Sequence, residues 1–553
     1  VKEANKLSTL KRETYLRSMA DRKLDLLVIG GGITGAGIAL DAAVRGLSVG
    51  LLEKQDFAQG TSSRSTKLIH GGLRYLKQGD VKLVREVGRE RAILYRNAPH
   101  IVIPEKMLLP IVEKGTYGRL ATSFGLWLYD YLAGVRKDER RVMLSKQDTI
   151  ALEPLLRSDI LKGAGLYYEY RTDDARLTIE VLKTAASYGA ACVNYAMVTD
   201  FLYQDGKVTG VRAADRISGR EYRIYASRIV NAAGPWADEL RAKDGSLSGK
   251  RLHLTKGVHL VVPHEKLPLR QAVYFDVPDG RMVFAIPRDR VTYIGTTDTN
   301  YDGDTSRPRA TREDAAYLLE AVNHMFPGAK LTLADIASSW AGLRPLIHED
   351  GKSPSELSRK DEIFHSPTGL ITIAGGKLTG FRKMAQRIVD LVMKQLAAEE
   401  GRAFVPCTTD RIVLAGGHFP SPEAIPAFVR NLADGVEEER IRQLVGKYGT
   451  QAEIILEKMK TLAAVSDDPA LQMVIAEIHY GVEEEMVTNL RDFLFRRTGR
   501  LYFERQTLPA LTEPLLAVLA ERFAWSPDRT ALERQMLEAE YAEAVSFPEE
   551  REA

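Results

Sequence analysis

The chain has 553 residues, enough for about three to four domains of ordinary size. Hydrophobic residues make up 44% and charged residues 27%, which excludes disorder along the whole chain. The 77 Lys and Arg against 74 Asp and Glu leave a formal charge of +3, too balanced for a protein whose main task is neutralising nucleic acid. Two cysteines, Cys192 and Cys407, cannot build a disulfide framework or a multi-cysteine metal site, and they fit a reducing compartment. Val1 to Lys23 scatters charge throughout and does not read as a secretory signal. No window reaches the ~18 apolar residues of a membrane-spanning helix.

The first clear element is Leu24 to Ile29 (LDLLVI), an apolar run that reads as a buried parallel strand. Glycines follow, then an alanine-rich helix from Ile38 to Arg45 stopped by Gly46, then a second strand from Leu47 to Leu52 ended by Glu53. Gly30, Gly32 and Gly35 form G-x-G-x-x-G inside this β-α-β unit, and Glu53 stands 23 residues after Gly30, near the ~20 of a dinucleotide site. The first glycine permits a tight turn, the second lets backbone N–H groups approach a pyrophosphate, and the third allows close helix–strand packing. The helix N-terminus stabilises the anion. Glu53 is placed to accept hydrogen bonds from a ribose 2′-OH and to repel a 2′-phosphate, which disfavours NADP.

The fingerprint alone does not separate NAD from FAD. The next stretch does. It is a basic, hydroxyl-rich segment from Thr61 to Gly72, including Ser62, Ser63, Lys67, Leu68 and His70, in place of a further β-α unit. Small hydroxyls and glycines let the backbone lie against a long cofactor, and Lys67 can meet phosphate or flavin oxygens. Leu120 to Val135 is apolar, interrupted by Asp130 and followed by Arg136, Lys137, Arg140 and Arg141. It reads either as a segment on a membrane surface or as a buried helix between domains.

From Thr199 to Arg228, FLYQ, then Asp205-Gly206, then KVTGVRAA predicts a hairpin, with a third strand from Glu221 to Ile229 running into Val230 to Gly234. This is an antiparallel meander inserted into a nucleotide-binding domain. Strand candidates HLVVP, AVYFD, MVFAIP and VTYIGTTD between His259 and Asp298 predict an antiparallel sheet. Ile336 to Trp340 is strand-like and Arg344 follows its end. Leu370 to Ala374 is a last buried strand, then Gly375-Gly376-Lys377 and a helix from about Thr379 to Leu396. Beyond a linker at Ala415 to Pro420, Pro422 to Ala544 is strongly helical.

The fold class is therefore α/β and α+β, a FAD-binding Rossmann-like domain with an inserted antiparallel-sheet substrate domain and an all-α C-terminal domain. The expected division is 22–98, 158–235 and 338–398 for the discontinuous FAD-binding domain, 99–157 and 236–337 for the substrate domain, and 399–548 for the helical domain.

The motifs GGGITGAG with Glu53, SSRSTKLIHGGLRYL, DDAR (Asp173 to Arg176), VNAAGPW (Val230 to Trp236), TKGVHLVVP (Thr255 to Pro263), IGTTD (Ile294 to Asp298), AGLRPL (Ala341 to Leu346) and GGKLTGFRK (Gly375 to Lys383) resemble those of FAD-dependent glycerol-3-phosphate dehydrogenases. The resemblance spans roughly residues 20 to 400 plus a helical tail of the family's kind. It implies FAD as cofactor, glycerol 3-phosphate as substrate and, in the absence of a recognisable oxidase insertion, a membrane quinone as electron acceptor. A cytoplasmic enzyme held peripherally at the inner face of the cell membrane is expected.

A flavin oxidation of a secondary alcohol needs the substrate carbon held at the flavin, a route for the hydroxyl proton and stabilisation of the reduced ring's charge. A phosphorylated substrate adds convergent cations. By resemblance, Arg344 holds the alcohol oxygen or phosphate, Arg74 and Tyr75 reach the pocket, and Arg359 binds phosphate unless it is a solvated loop charge. His259, with an ordinary imidazole pKa near ~6.5, is the candidate proton acceptor. The competing assignment has Arg344 stabilise an alkoxide while water takes the proton. Lys377 and the backbone at Gly376, Leu378 and Thr379 face the flavin at a helix start. Thr34 joins the pyrophosphate turn, Asn231 and Gly234 pass the adenosine–pyrophosphate, and Val198 meets adenine through its backbone.

No metal is expected, because the ten histidines show no ligand spacing. Nucleic acid is not an expected partner, and a homodimer stays open. Two other functions remain: a FAD-dependent oxidase or dehydrogenase of another small hydroxy or amino acid, and a flavin-containing RNA-binding or modifying protein. The helical tail could also be chiefly an interaction module.

Overall fold

The computed structural model describes residues 5–70, 81–113, 115, 118, 122–128, 139–348, 361–433, 435–462 and 468–549. Among them the strands form an eight-stranded and a ten-stranded sheet. The run Leu24–Ile29, apolar except for the half-buried Asp25, is central to the first, because both of its faces are covered. It pairs in parallel with Val49–Leu52 on one side and Glu221–Asn231 on the other. Ala191–Val193 extends the sheet beyond Val49–Leu52, and Ile371–Gly375 and then Asp361–His365 extend it beyond Glu221–Asn231.

The fingerprint helix begins earlier than expected. It runs Ile33–Val44, with Gly32 as N-cap. Glycines at 35 and 37 weaken helix propensity by about 1 kcal/mol each, but the contact they permit outweighs it. A Cβ at Gly37 would stand 2.8 Å from the Phe381 ring, so this helix packs closely on the long helix Phe381–Glu400. The meander follows expectation. Asp205 and Gly206 take φ of 50° and 73°, the paired positive values of a two-residue hairpin turn. The strand Glu221–Asn231 serves twice. Glu221 to Tyr225 pairs antiparallel with Lys207–Asp215, and Ala226 to Asn231 pairs parallel with the fingerprint strand.

The second sheet is mostly antiparallel. Leu252–Pro263 lies between Ser338–Ile347 and Val291–Gly295. The order continues through Met282–Arg288, Ala272–Asp276, Ile103–Val112, Leu161–Arg171 and Leu68–Ile69. Leu161–Arg171 and Ser338–Ile347, which lie within the segments expected for the FAD-binding domain, pair in the ten-stranded sheet with Ile103–Val112 and Leu252–Pro263 respectively. Arg344 is consequently inside a strand rather than beyond its end.

The described residues of the C-terminal region carry helices and no named strand, from Ile425–Leu432 to Pro527–Glu543. Its seam with the first sheet is ionic and buried. Arg497 donates to both oxygens of Asp56, at 2.8 and 2.9 Å, from a π-helical turn Asp492–Arg497. Arg176 grips Glu485 through both of its terminal nitrogens. Breaking one partner of such a pair costs about 3–5 kcal/mol, because the other charge is left buried. Of the apolar stretch Leu120 to Val135, the described part is the helical segment 122–128, where Leu126 is buried and Phe124 and Trp127 are exposed. No helix among the described residues is long and apolar enough to cross a membrane.

Candidate active site

The two sheets meet over a cavity of about 680 Å³, within the range of small-molecule sites. One wall comes from the fingerprint turn, with Gly30, Gly32, Thr34 and, from the next strand end, Glu53. Val198 of the meander and Gly234 flank it, and Thr61, Ser62, Leu68 and His70 line the segment after the β-α-β unit. His259 and Arg344 face it from the ten-stranded sheet, and Gly376, Lys377, Leu378 and Thr379 close it at the start of the long helix. Four expected residues, Gly35, Ser63, Lys67 and Asn231, stand behind the wall. Arg74, Tyr75 and Arg359 lie outside the described residues.

The turn is shaped to bring backbone to a ligand. Gly30 has φ +115°, and a Cβ there would stand 2.5 Å from the Ala232 carbonyl oxygen. A Cβ on Gly35 would overlap the Gly30 carbonyl, so its bareness fixes the helix against the strand. Asn231 holds the opposite rim from beneath. Its amide nitrogen donates to Ala237 O at 2.9 Å, and its Oδ1 accepts from Ala233 N at 3.1 Å. Ser62 Oγ accepts from Ile33 N at 2.9 Å, which caps the helix start.

Glu53 accepts from Gly31 N at 2.7 Å and Gln55 N at 2.8 Å through different oxygens. Burial raises its pKa, and the two N–H donors work against that rise. Each carboxylate oxygen has a second lone pair for a ribose hydroxyl.

Lys67 departs from its expected role. Its ammonium is buried 2.5 Å from Asp174 Oδ1 and 3.2 Å from Ser63 O. Burial works against its charge, but Asp173 and Asp174 outweigh burial and raise its pKa. Its ammonium is turned to Asp174 and does not line the cavity. Asp174 Oδ2 also accepts from Ser65 N and Ser65 Oγ, at 2.9 and 2.6 Å, so this one carboxylate ties down Ser65 and Lys67 of the hydroxyl-rich loop.

That loop delivers Thr66 to His259. His259 Nε2 lies 2.9 Å from Thr66 Oγ1, and Nδ1 is buried with no hydrogen-bond partner among the described residues. Burial first, then the charges of Arg344 and Lys67, hold the imidazole well below its ordinary pKa, so the ring is neutral at neutral pH. Arg344 lies across Gly257, where any Cβ would overlap its guanidinium. It donates to Thr296 Oγ1 at 2.9 Å, Asp298 Oδ1 at 3.2 Å and Thr297 O at 3.3 Å. The IGTTD motif is thus the seat of the arginine.

Gly375 and Gly376 take φ of +77° and +81° in succession, which turns the strand end so that Lys377 and the following short 3₁₀ turn Leu378–Gly380 enter the cavity. Thr379 Oγ1 donates to His70 O at 3.3 Å. Three residues were not singled out from sequence, namely Thr66, Asp174 and Trp340. The first two lie inside the motifs SSRSTK and DDAR, but nothing local marks their partners. Among the described residues there is no cluster of three or more metal-binding side chains.

The family model described as FAD dependent oxidoreductase matches residues 25–382, and that of the C-terminal domain of alpha-glycerophosphate oxidase matches residues 407–530. The aerobic glycerol-3-phosphate dehydrogenase of Bacillus subtilis is 53% identical over 529 residues, covering 94% of this chain and 95% of its own. That of Staphylococcus aureus is 50% identical over 528 residues, with the same coverages. The X-ray structure of the glycerol-3-phosphate dehydrogenase from Bacillus halodurans, complexed with FAD, matches at TM-score 0.84 and 46% identity over 98% of this chain and 99% of that one. The L-alpha-glycerophosphate oxidase from Mycoplasma pneumoniae, with FAD bound, shares the fold at TM-score 0.54 and 20% identity over 67% of this chain and 95% of that one. On this identity and coverage, the chain belongs to the family of FAD-dependent glycerol-3-phosphate dehydrogenases.

Proposed function

We propose that the chain oxidises sn-glycerol 3-phosphate to dihydroxyacetone phosphate with FAD, and passes the electrons to a membrane quinone from the inner, cytoplasmic face of the cell membrane. The observation that carries the first part is one cavity that joins a dinucleotide cradle to a neutral histidine and a seated arginine. The residues present fit FAD. Gly30 and Gly32 leave the backbone bare at a helix start, Glu53 keeps lone pairs for a ribose, and the Gly375-Gly376 turn brings a second helix start to the far end.

FAD bound here supplies the hydride acceptor. The protein's own part is positioning and proton handling. Arg344, fixed on Thr296, Thr297 and Asp298, holds an anionic oxygen of the substrate. Lys377 adds a second cation in the same cavity, and Arg74 and Arg359 are the further phosphate ligands in this reading. His259 accepts the hydroxyl proton. Its low basicity reflects burial beside two cations, and a substrate dianion entering the cavity offsets those cations and raises it.

The acceptor and location rest on other support. Relatives at 50–53% identity are named aerobic dehydrogenases, and the exposed Phe124 and Trp127 give an apolar tip suited to a bilayer surface. The test is anaerobic: the yellow, FAD-loaded protein bleaches on adding glycerol 3-phosphate and recolours on adding a soluble quinone. Bleaching by an amino acid instead, or recolouring by oxygen alone with stoichiometric peroxide, would replace the reading. Co-sedimentation with anionic vesicles, lost in Phe124→Ser/Trp127→Ser, tests the membrane contact.

A further inference from the structure

His259 is flanked on its sheet by two unlike neighbours. Across one strand boundary its register partner is Gly295, and across the other it is Trp340. Cross-strand partners point to the same face, so the imidazole lies between a bare α-carbon and an indole. Any Cβ at position 295 would overlap the ring. On the opposite side the imidazole and the Trp340 ring are stacked, 4.9 Å between centroids and 11° between planes. Among the described residues one hydrogen bond, to Thr66, limits rotation of the imidazole, and the stack sets its plane.

Trp340 is in turn held from outside the catalytic sheets. Its Nε1 donates to Ser65 O at 3.2 Å. Tyr502 and Phe503, from the short helix Arg500–Phe503 of the C-terminal region, pack on its ring at centroid distances of 5.2 and 5.9 Å. Ser338 Oγ donates to Tyr502 O at 2.7 Å, which pins that helix to the same strand. Two cations cover the aromatic group: Lys67 Nζ lies 5.9 Å from the Phe503 centroid and Arg288 Cζ lies 3.8 Å from it.

We propose that Trp340 is a positioning residue for proton transfer at His259, and that Phe503 of the helical C-terminal region keeps Trp340 in place, which makes that region part of the active site. The proposal rests on the reading of His259 as proton acceptor. The stack offers no proton and no charge. It removes the rotation of the imidazole that a single hydrogen bond leaves, and a misplacement of about 1 Å at such a group costs on the order of 100-fold in rate.

The experiment compares Trp340→Leu, Trp340→Phe, Phe503→Leu and His259→Gln as FAD-loaded holoenzymes, with flavin content measured for each. The expected result is a fall in kcat of about 10- to 100-fold for Trp340→Leu, with KM for glycerol 3-phosphate changed less than about threefold. Trp340→Phe should restore most of kcat. Phe503→Leu should lower kcat in the same direction with flavin content intact. The acidic limb of the kcat profile should move in Trp340→Leu, because the imidazole then shifts relative to Arg344 and Lys67, with the Lys67 partners Asp173 and Asp174 and the nearby Arg288 unchanged. Full kcat in both Trp340→Leu and Phe503→Leu, alongside a crippled His259→Gln, overturns the positioning proposal alone. Full kcat in His259→Gln overturns the proton-acceptor reading and the proposal with it. If Trp340→Leu does not yield folded protein, Phe503→Leu decides the matter by the same kcat, KM and pH readouts.

Discussion

Asp174→Ala should loosen the active-site loop and the protein together. The carboxylate is fully buried and accepts four hydrogen bonds, from Lys67 Nζ, Ser65 N, Ser65 Oγ and Ala175 N, at 2.5 to 2.9 Å. Its removal leaves the Lys67 ammonium buried near Arg288 with Asp173 as the remaining nearby carboxylate, and such a broken pair costs about 3–5 kcal/mol. A cooperative unit the size of the 25–382 stretch has an unfolding entropy of about 0.75 kcal/mol/K at ~2.1 cal/mol/K per residue. The thermal midpoint should therefore fall by about 4–7 °C. Because Thr66 is held by the same loop, kcat should fall as well. The check is a pair of melts, followed by flavin fluorescence and by circular dichroism, on Asp174→Ala and on Asp174→Ala/Lys67→Met. The double variant should recover most of the loss, since an apolar pair of similar volume restores neutrality. A midpoint for Asp174→Ala within about 1 °C of the parent would refute the reasoning.

Gly35→Val should abolish FAD retention, because its side chain must displace the Gly30 carbonyl from the pyrophosphate turn. Flavin absorbance per mole of protein after gel filtration should drop at least about tenfold, which from a saturated parent takes more than about 1.4 kcal/mol of lost affinity. Glu485 has its pKa lowered from 4.5 to about 2; burial opposes this, but Arg176 and Lys183 outweigh it. Its stabilising contribution is therefore complete above pH 4.5 and is lost as pH falls through about 2. An acid titration followed by tryptophan fluorescence should show the helical region loosening in that window, and Glu485→Gln should already be loosened at neutral pH. The acidic limb of kcat/KM, which reports the substrate-free enzyme, should lie below the ordinary imidazole value of 6.5, since His259 is held well below it. In kcat, measured with the substrate dianion bound, the limb should move upward.

The parts of the fold that local chemistry determines were legible in the sequence. LDLLVI is apolar on both faces except at Asp25 near its start, and it is the strand Leu24–Ile29. Asp205-Gly206 tolerates two positive φ values and is the hairpin turn. The hidden parts depend on distant partners. Leu161–Arg171 (LKGAGLYYEYR) lacks a clean apolar/polar alternation, and only its pairing with Ile103–Val112 assigns it to the ten-stranded sheet. Lys67, among hydroxyls and glycines, resembled a ligand-facing cation, but the carboxylate that claims it is 107 positions away. Thr66 and His259 are separated by 193 positions, and the indole that stacks on the imidazole comes from the neighbouring strand Ser338–Ile347. Residue types announced the chemistry, and sheet register decided which of them met.

The path of the backbone has a consequence for synthesis. It leaves the eight-stranded sheet after Leu52, returns at Ala191, leaves again after Asn231 and comes back only at Asp361. A nascent polypeptide on the ribosome therefore carries an open hydrogen-bonding margin along Val230 and Asn231 until Ile371–Gly375 has emerged. Premature termination anywhere ahead of that point leaves a sticky half-layer rather than a smaller working enzyme. Expression yield should depend more on elongation through residues 232–375 than on anything encoded beforehand.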